Sequence, residues 1–176
     1  MMTDRTRLPD PLPAAAALPA GAAVVLRHYD IPEPEREDLG RRLAALCRRR
    51  GLALLVAGDL RLAIRLGAAG LHLPEHRLAA IPAARRHGLP LVTVAAHGEA
   101  TLMRAAGLGA DAALLSPVFA TASHPGTRTL GPVRFARLVH RAKLPVYALG
   151  GIDSMTAPRL TGSGAAGLAA IGGLSR

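Results

Sequence analysis

Two short patterns alternate along the chain, and each leads into an apolar run. The first is a basic helix end followed by a short turn and an apolar run, and it covers residues 48–58, 85–95 and 140–150. The second is a Gly-Ala turn followed by such a run, and it covers residues 67–73, 109–115 and 164–171. Near-continuous apolar runs are typical of strands that are buried on both faces. Repeated strand–helix units therefore predict parallel strands joined by right-handed crossovers.

The apolar runs predict seven strands, near residues 22–28, 52–58, 70–74, 91–96, 112–118, 145–151 and 167–172. Residues 1–4 add the stub of an eighth strand, placed first. Eight parallel strands close as a (β/α)8 TIM barrel, which is the predicted α/β fold class. An open doubly wound sheet is the structural alternative. At 176 residues the chain is long enough for a sizeable core, so we predict a single domain over residues 1–176.

Helical patterns separate the predicted strands. Leu43 and Cys47 fall on one apolar face, and Gly51 follows as the C-terminal stop of that helix. A second helix is predicted over residues 153–162, with Asp153 as its N-cap. The single cysteine is expected to be a small core residue rather than a reactive thiol.

Both ends of the predicted barrel are short. Barrels of this type run to about 250 residues, or about 200 at the small end. Here the first strand is truncated, and the last helix is missing from the predicted pattern. We therefore expect either a partner subunit over the gap, as in a homodimer, or a marginally stable barrel.

The formal charge of +10 raises the question of nucleic-acid binding. Two Tyr, two Phe and no Trp make a base-stacking platform hard to build, so the composition argues against this partner. The arginines are spread over several predicted helices, where they are expected to form solvated faces. No apolar run approaches the roughly 18 residues of a membrane span, and no signal peptide is recognised. A cytoplasmic location is expected.

Polar residues follow most of the predicted strands. In chain order they are Arg27, His28, Tyr29 and Asp30, then Asp59, then Glu75, His76 and Arg77, then His97, then Ser116 and residues 121–128, then Gly150, Gly151 and Asp153. Because the chemistry of such barrels lies at the C-terminal strand ends, this pattern predicts a ligand-binding mouth. Two histidines are given structural roles instead: His72 is expected in the core, and His97 is expected to cap the next helix.

A phosphate cradle is predicted at the last strands. Residues 121–128 offer hydroxyl and cationic groups, namely Thr121, Ser123, His124, Thr127 and Arg128. Paired glycines follow the last two strands, at Gly150–Gly151 and at Gly172–Gly173. Glycine lets backbone N–H groups approach phosphate oxygens closely, and the last two loops of such barrels often hold a phosphate. The alternative is that these glycines only allow tight strand-to-helix turns.

Six motifs follow one another in a fixed order. They are VLRHY at 25–29, AGD at 57–59, GLHLPEHR at 70–77, VAAH at 94–97, SPVFATASH at 116–124 and ALGGI at 148–152. In amino-acid sequence and in order they resemble the motifs of the thiamine phosphate synthase/TenI family. The resemblance covers almost the whole chain and implies the barrel fold.

The resemblance also implies a transferase reaction. A hydroxymethylpyrimidine pyrophosphate loses pyrophosphate with the help of Mg²⁺, and the nitrogen of a thiazole phosphate captures the resulting carbocation. The partners are then phosphorylated small molecules. By resemblance the pyrophosphate is bound by Arg27, the metal by Asp59 and the thiazole phosphate by Thr121, Ser123 and Gly151. His124, Gly150 and Gly172 are candidate phosphate-binding residues because they lie in the predicted phosphate cradle. Arg27 and His124 are the candidate catalytic residues.

Six positions depart from the family pattern, namely Tyr29, Gly58, Arg77, Ala95, His124 and Gly172. The change at Arg77 is the sharpest, because a cation replaces the second metal-binding aspartate. Two hypotheses follow. The chain is a thiamine phosphate synthase that acts with Mg²⁺, or it is a divergent member that binds a phosphorylated ligand without synthase activity.

Overall fold

A computed structural model describes residues 1–121, 126 and 128–171. These residues form one parallel sheet in which every strand pairs with the next one along the chain. The strands are β1 (Ala23–Leu26), β2 (Ala53–Ala57), β3 (Gly70–Leu73), β4 (Leu91–Ala96), β5 (Ala112–Leu115), β6 (Val146–Leu149) and β7 (Gly167–Ala169). All seven predicted strands are confirmed: β4 has the predicted bounds, and the other six are shorter than the apolar runs suggest.

Helices connect the strands on the outside of the sheet. They are α1 (Leu12–Ala16), α2 (Glu33–Arg50), α3 (Leu60–Arg65), α4 (Ile81–Arg86), α5 (Glu99–Gly107) and α6 (Gly131–Arg141), with 3-10 helices over Glu75–Ala80 and Ala157–Leu160. As predicted, α2 stops at Gly51, which adopts the left-handed conformation with φ +64°. No helix of the described part of the chain is long and apolar enough to cross a membrane.

The two edges of the sheet meet at the N-terminal residues. Met2 forms a parallel bridge with Val25 of β1, and its backbone N–H donates to the carbonyl of Ala170, just after β7 (2.9 Å). The sheet is therefore curled into a barrel, which confirms the TIM-like fold class. Residues 1–4 contribute a single bridge rather than an extended eighth strand. On β7, Leu168 is 37% exposed, and the partner-subunit and marginal-barrel alternatives stay predictions.

The apolar residues divide into two layers. One layer lies between the strands and the helices, and it includes Cys47, which is 2% exposed as predicted for a core residue. The other fills the inside of the barrel and contains Met2, Val25, Leu55, Ala57, Leu114 and Ala169. Alternate residues of each strand supply the two layers, which is why the strands read as continuous apolar runs.

The helix predicted over residues 153–162 is wrong in extent. Asp153 does cap the segment, since its Oδ1 accepts hydrogen bonds from the N–H groups of Met155 and Thr156 (both 2.9 Å). Only Ala157–Leu160 is helical, as one 3-10 turn. Pro158 has no N–H to continue an α-helical ladder, so the turn stays short.

Candidate active site

Functional side chains collect at the end of the barrel where the parallel strands terminate. Arg27 follows β1, Asp59 follows β2 and Arg77 lies on the 3-10 helix after β3. Parallel strands place their carboxyl ends at one edge, so these three residues lie around the same mouth. The structure thus places these polar residues together at one end of the barrel, and the binding of a ligand there stays a prediction.

Three guanidinium groups surround the ring of Tyr29, and we call Arg27, Arg36 and Arg77 the arginine cluster. The Cζ atoms of Arg27 and Arg36 lie 5.9 and 5.4 Å from the ring centroid, at cation–π distance. Arg77 reaches the same place, because its Nη1 donates to the carbonyl of Gly58, next to the ring. Partial burial raises the pKa of the Tyr29 phenol, and the three guanidinium groups oppose that rise.

Arg36 is the member of the cluster that sequence reasoning missed. It lies on α2 with 8% of its surface exposed, and its Nη2 donates to the carbonyl of Ala57 (2.7 Å). The sequence did hold a signal: Arg36 precedes Gly40 by four residues and Leu43 by seven, on the buried face of the helix. An arginine on such a face is typical of a residue that reaches a site beyond the core.

Asp59, the predicted metal ligand, is already occupied by protein groups. Its Oδ1 accepts the N–H of Leu62 (2.9 Å) as the N-cap of α3, and its Oδ2 lies 3.6 Å from Nη1 of Arg36. Glu75 does not join it, because Glu75 accepts a hydrogen bond from Thr101 instead. Across residues 1–121, 126 and 128–171 there is no group of three or more Asp, Glu, His or Cys that could hold a metal ion.

His97 bridges the ends of neighbouring strands, and its prediction as a helix cap is wrong. The cap position of α5 is Gly98, which has no side chain that could cap the helix. The Nδ1 atom of His97 lies 2.8 Å from the carbonyl of Ser116, which can only accept, so Nδ1 carries the proton. Its Nε2 lies 3.8 Å from Oε2 of Glu75, close enough for an ion pair when the imidazole is protonated.

Gly150 and Gly151 are required by close packing. Both have positive φ, and a Cβ on Gly150 would lie 2.8 Å from Cα of Pro117. A Cβ on Gly151 would fall against the carbonyl oxygen of Ala120. These contacts draw the segment after β5 onto the loop after β6. They support the alternative in which the glycines serve chain geometry, and the phosphate-binding prediction stays untested.

The remaining predicted site residues divide into two groups. Thr121 is half-buried at the end of the segment that packs on Gly151, and Arg128 is exposed. Ser123, His124, Thr127, Gly172 and Gly173 lie outside the described residues.

The model of the family described as thiamine monophosphate synthase matches residues 6–174. The thiamine-phosphate synthase of Alcanivorax borkumensis is 34% identical over 181 residues, which cover 97% of this chain and 81% of that protein. The thiamine-phosphate synthase of Thiobacillus denitrificans is 37% identical over 163 residues, which cover 90% of this chain and 77% of that protein.

A solved structure agrees with the fold. The thiamine phosphate pyrophosphorylase of Pyrococcus furiosus superimposes with a TM-score of 0.83 at 24% identity, covering 97% of this chain and 82% of that one. The sequence matches and the shared barrel lead to one conclusion: this chain belongs to the thiamine monophosphate synthase family.

Proposed function

We propose that the protein joins a hydroxymethylpyrimidine pyrophosphate to a thiazole phosphate and releases pyrophosphate, as a transferase of thiamine biosynthesis. Support comes from family membership and from relatives named thiamine-phosphate synthase at 34–37% identity. The single observation that carries the proposal is the arginine cluster at the barrel mouth. Convergent guanidinium groups match the charge of a departing pyrophosphate.

In this proposal the chain's own residues orient both substrates. Arg27 and its cluster hold the pyrophosphate and stabilise the negative charge that grows on it as the carbon–oxygen bond breaks. Thr121, Gly150 and Gly151 hold the thiazole phosphate across the mouth. Ser123 and Gly172, which lie outside the described residues, are further candidates for this role. His124, which stands where the family motif has a lysine and lies outside the described residues, is the second catalytic candidate. Holding the thiazole nitrogen close to the reacting carbon lowers the entropic cost of forming the new carbon–nitrogen bond.

Mg²⁺ stays a prediction from the family resemblance, and the described residues fit it poorly. Mg²⁺ requires near-octahedral oxygen coordination, commonly from one or two carboxylates together with substrate phosphates and water. Asp59 is the carboxylate offered by the sequence, and both of its oxygens already have partners. Arg77 supplies a cation where the family motif has a second aspartate. No step of the proposed reaction is therefore assigned to the metal.

The cytoplasmic location of the protein also stays a prediction.

A second candidate is a divergent family member that binds a phosphorylated ligand without forming thiamine phosphate. The observation that favours it is Arg77, whose guanidinium contacts Gly58 beside Asp59. This contact, and the absence of a second aspartate at position 77, both change the side of the mouth that contains Asp59. The side that contains Gly150 and Gly151 is unaltered.

One assay separates the two candidates. Purified protein at high concentration is mixed with both substrates, once with Mg²⁺ and once with excess EDTA, and thiamine phosphate is quantified by chromatography. We expect thiamine phosphate and pyrophosphate in equal amounts. Absence of product in both mixtures would overturn the proposed synthase activity and leave the binding protein.

A further inference from the structure

The arginine cluster carries more positive charge than its neighbours neutralise. Two carboxylates contact the cluster. Oδ2 of Asp4 lies 4.0 Å from Nη1 of Arg27, and Oδ2 of Asp59 lies 3.6 Å from Nη1 of Arg36. Three guanidinium groups against two carboxylates leave a net charge of +1 in these contacts. A local excess of positive charge attracts an anionic ligand and repels a divalent cation.

Arg36 brings a hydrogen-bond donor that has no acceptor. Its Nε–H is buried, and nothing in the described part of the chain accepts from it. The guanidinium has two other contacts, to the carbonyl of Ala57 and to Asp59, which hold it in place. A buried N–H without an acceptor is costly, so an oxyanion that reaches it is favoured.

Arg77 is anchored but keeps donors to spare. A guanidinium has five N–H donors, and the side chain of Arg77 makes one hydrogen bond within residues 1–121, 126 and 128–171, to the carbonyl of Gly58. The residue is exposed, so the rest of the fork is available to solvent or ligand. Guanidinium forks bind phosphate oxygens in pairs, which a single lysine cannot do.

We infer that the arginine cluster takes the place of a divalent cation, so that this chain binds a diphosphate as the metal-free anion. Arg77 supplies the charge, and Arg27 and Arg36 complete a three-sided guanidinium site around Tyr29. The inference rests on the proposed function for the identity of the ligand as a diphosphate ester. It differs from that function in the claim that protein cations alone neutralise the diphosphate.

The direct test is the binding of inorganic pyrophosphate to the intact protein, measured by isothermal titration calorimetry. One titration contains excess EDTA and the other contains millimolar Mg²⁺. We expect binding in EDTA, with a Kd that Mg²⁺ leaves within about threefold or weakens, because Mg²⁺ also sequesters pyrophosphate in solution. Tightening by Mg²⁺ of about tenfold or more, or no binding in EDTA, would overturn the inference.

A charge-reversal variant sharpens the test. Arg77→Asp places a carboxylate near Asp59, so we expect about tenfold or greater weakening in EDTA and partial recovery when Mg²⁺ is added. The matched control is Arg49→Asp, which makes the same charge change at an exposed position near the C-terminal end of α2, at the opposite end of the barrel. Its Kd is expected within about twofold of the wild type. Equal weakening by both variants would mean long-range electrostatics rather than a site.

This experiment and the synthase assay fail independently. Metal-free pyrophosphate binding without any thiamine phosphate would overturn the proposed function and support the inference. Thiamine phosphate formed only in the mixture with Mg²⁺, together with Mg²⁺-dependent pyrophosphate binding, would support the function and overturn the inference.

Discussion

At the scale of single residues, His72 is a buried titratable group that the proposed chemistry does not use. His72 is 4% exposed on β3, and its Nδ1 lies 2.9 Å from Oγ1 of Thr93 on β4. Burial, and secondarily the positive charge of Arg27, lower the pKa of His72 to about 4. The imidazole is therefore neutral in the folded protein at neutral pH, as expected for a core histidine.

This shift predicts a loss of stability in acid. The unfolded chain takes up a proton at His72 below its ordinary pKa of 6.5, whereas the folded chain resists protonation down to about 4. The free energy of unfolding should therefore fall by about 2 kcal/mol from His72 alone between about pH 7.5 and pH 5. Urea denaturation at the two pH values measures the fall, and His72→Gln should reduce it by that amount. His76→Gln changes an exposed histidine and is the control; equal falls in wild type and His72→Gln would contradict the prediction.

The position of a residue was predictable from the sequence only where the order of the parallel strands determines it. The strand pattern brought Arg27 and Asp59 to one mouth, because parallel strands end at one edge. It could not show that Asp59 pairs with Arg36, since that contact joins the start of α3 to α2, which are separate in sequence. His97 was assigned wrongly for a similar reason. Its partner, the carbonyl of Ser116, lies just after β5, and the register of β4 on β5 decides which residue stands opposite His97.

At the scale of elements, closure of the barrel depends on a very short contact. On one side of residues 1–3, the backbone N–H of Thr3 donates to the carbonyl of Val25, and the backbone N–H of Val25 donates to the carbonyl of Met1 (both 2.9 Å). On the other side, Met2 donates to Ala170 (2.9 Å). The other neighbouring strands pair over three or four consecutive residues each, so the seam is the weakest part of the ladder.

Hydrogen exchange tests this weakness. We expect the amide of Met2 to exchange faster than amides inside β4, such as that of Val94, because opening the seam breaks few contacts. Exchange followed by NMR at neutral pH gives the two protection factors. Equal protection of the seam and of β4 would show that the barrel opens only as a whole, and it would also overturn the prediction of a marginal closure.

The strands were predictable as elements, and the segment at 153–162 was not. Buried parallel strands have a strong and redundant signal, because both faces of each strand are apolar. The 153–162 segment is governed by side-chain contacts instead: Oγ1 of Thr156 donates to the carbonyl of Gly151 (2.7 Å) and the carboxylate of Asp153 caps the turn. Such contacts hold a turn where helix propensity and an N-cap predict a longer helix.

At the scale of the whole molecule, the mouth has two chemically different sides. The arginine cluster lies after β1–β3, and the loop of Gly150 and Gly151 lies after β6, across the barrel. The first side has charge and unsatisfied donors, and the second has closely packed backbone. The proposed function requires that each of these two sides bind an anion, the diphosphate on the first and the monophosphate on the second, and that requirement is its central claim.

A crystal structure of the protein with both products bound tests that claim most directly. Crystals grown with pyrophosphate and thiamine phosphate should show the pyrophosphate within hydrogen-bond distance of Arg27 and Arg77. The phosphate of thiamine phosphate should lie against Gly151. Electron density for either product at another surface, with the mouth occupied only by solvent, would contradict the assignment of this mouth as the active site.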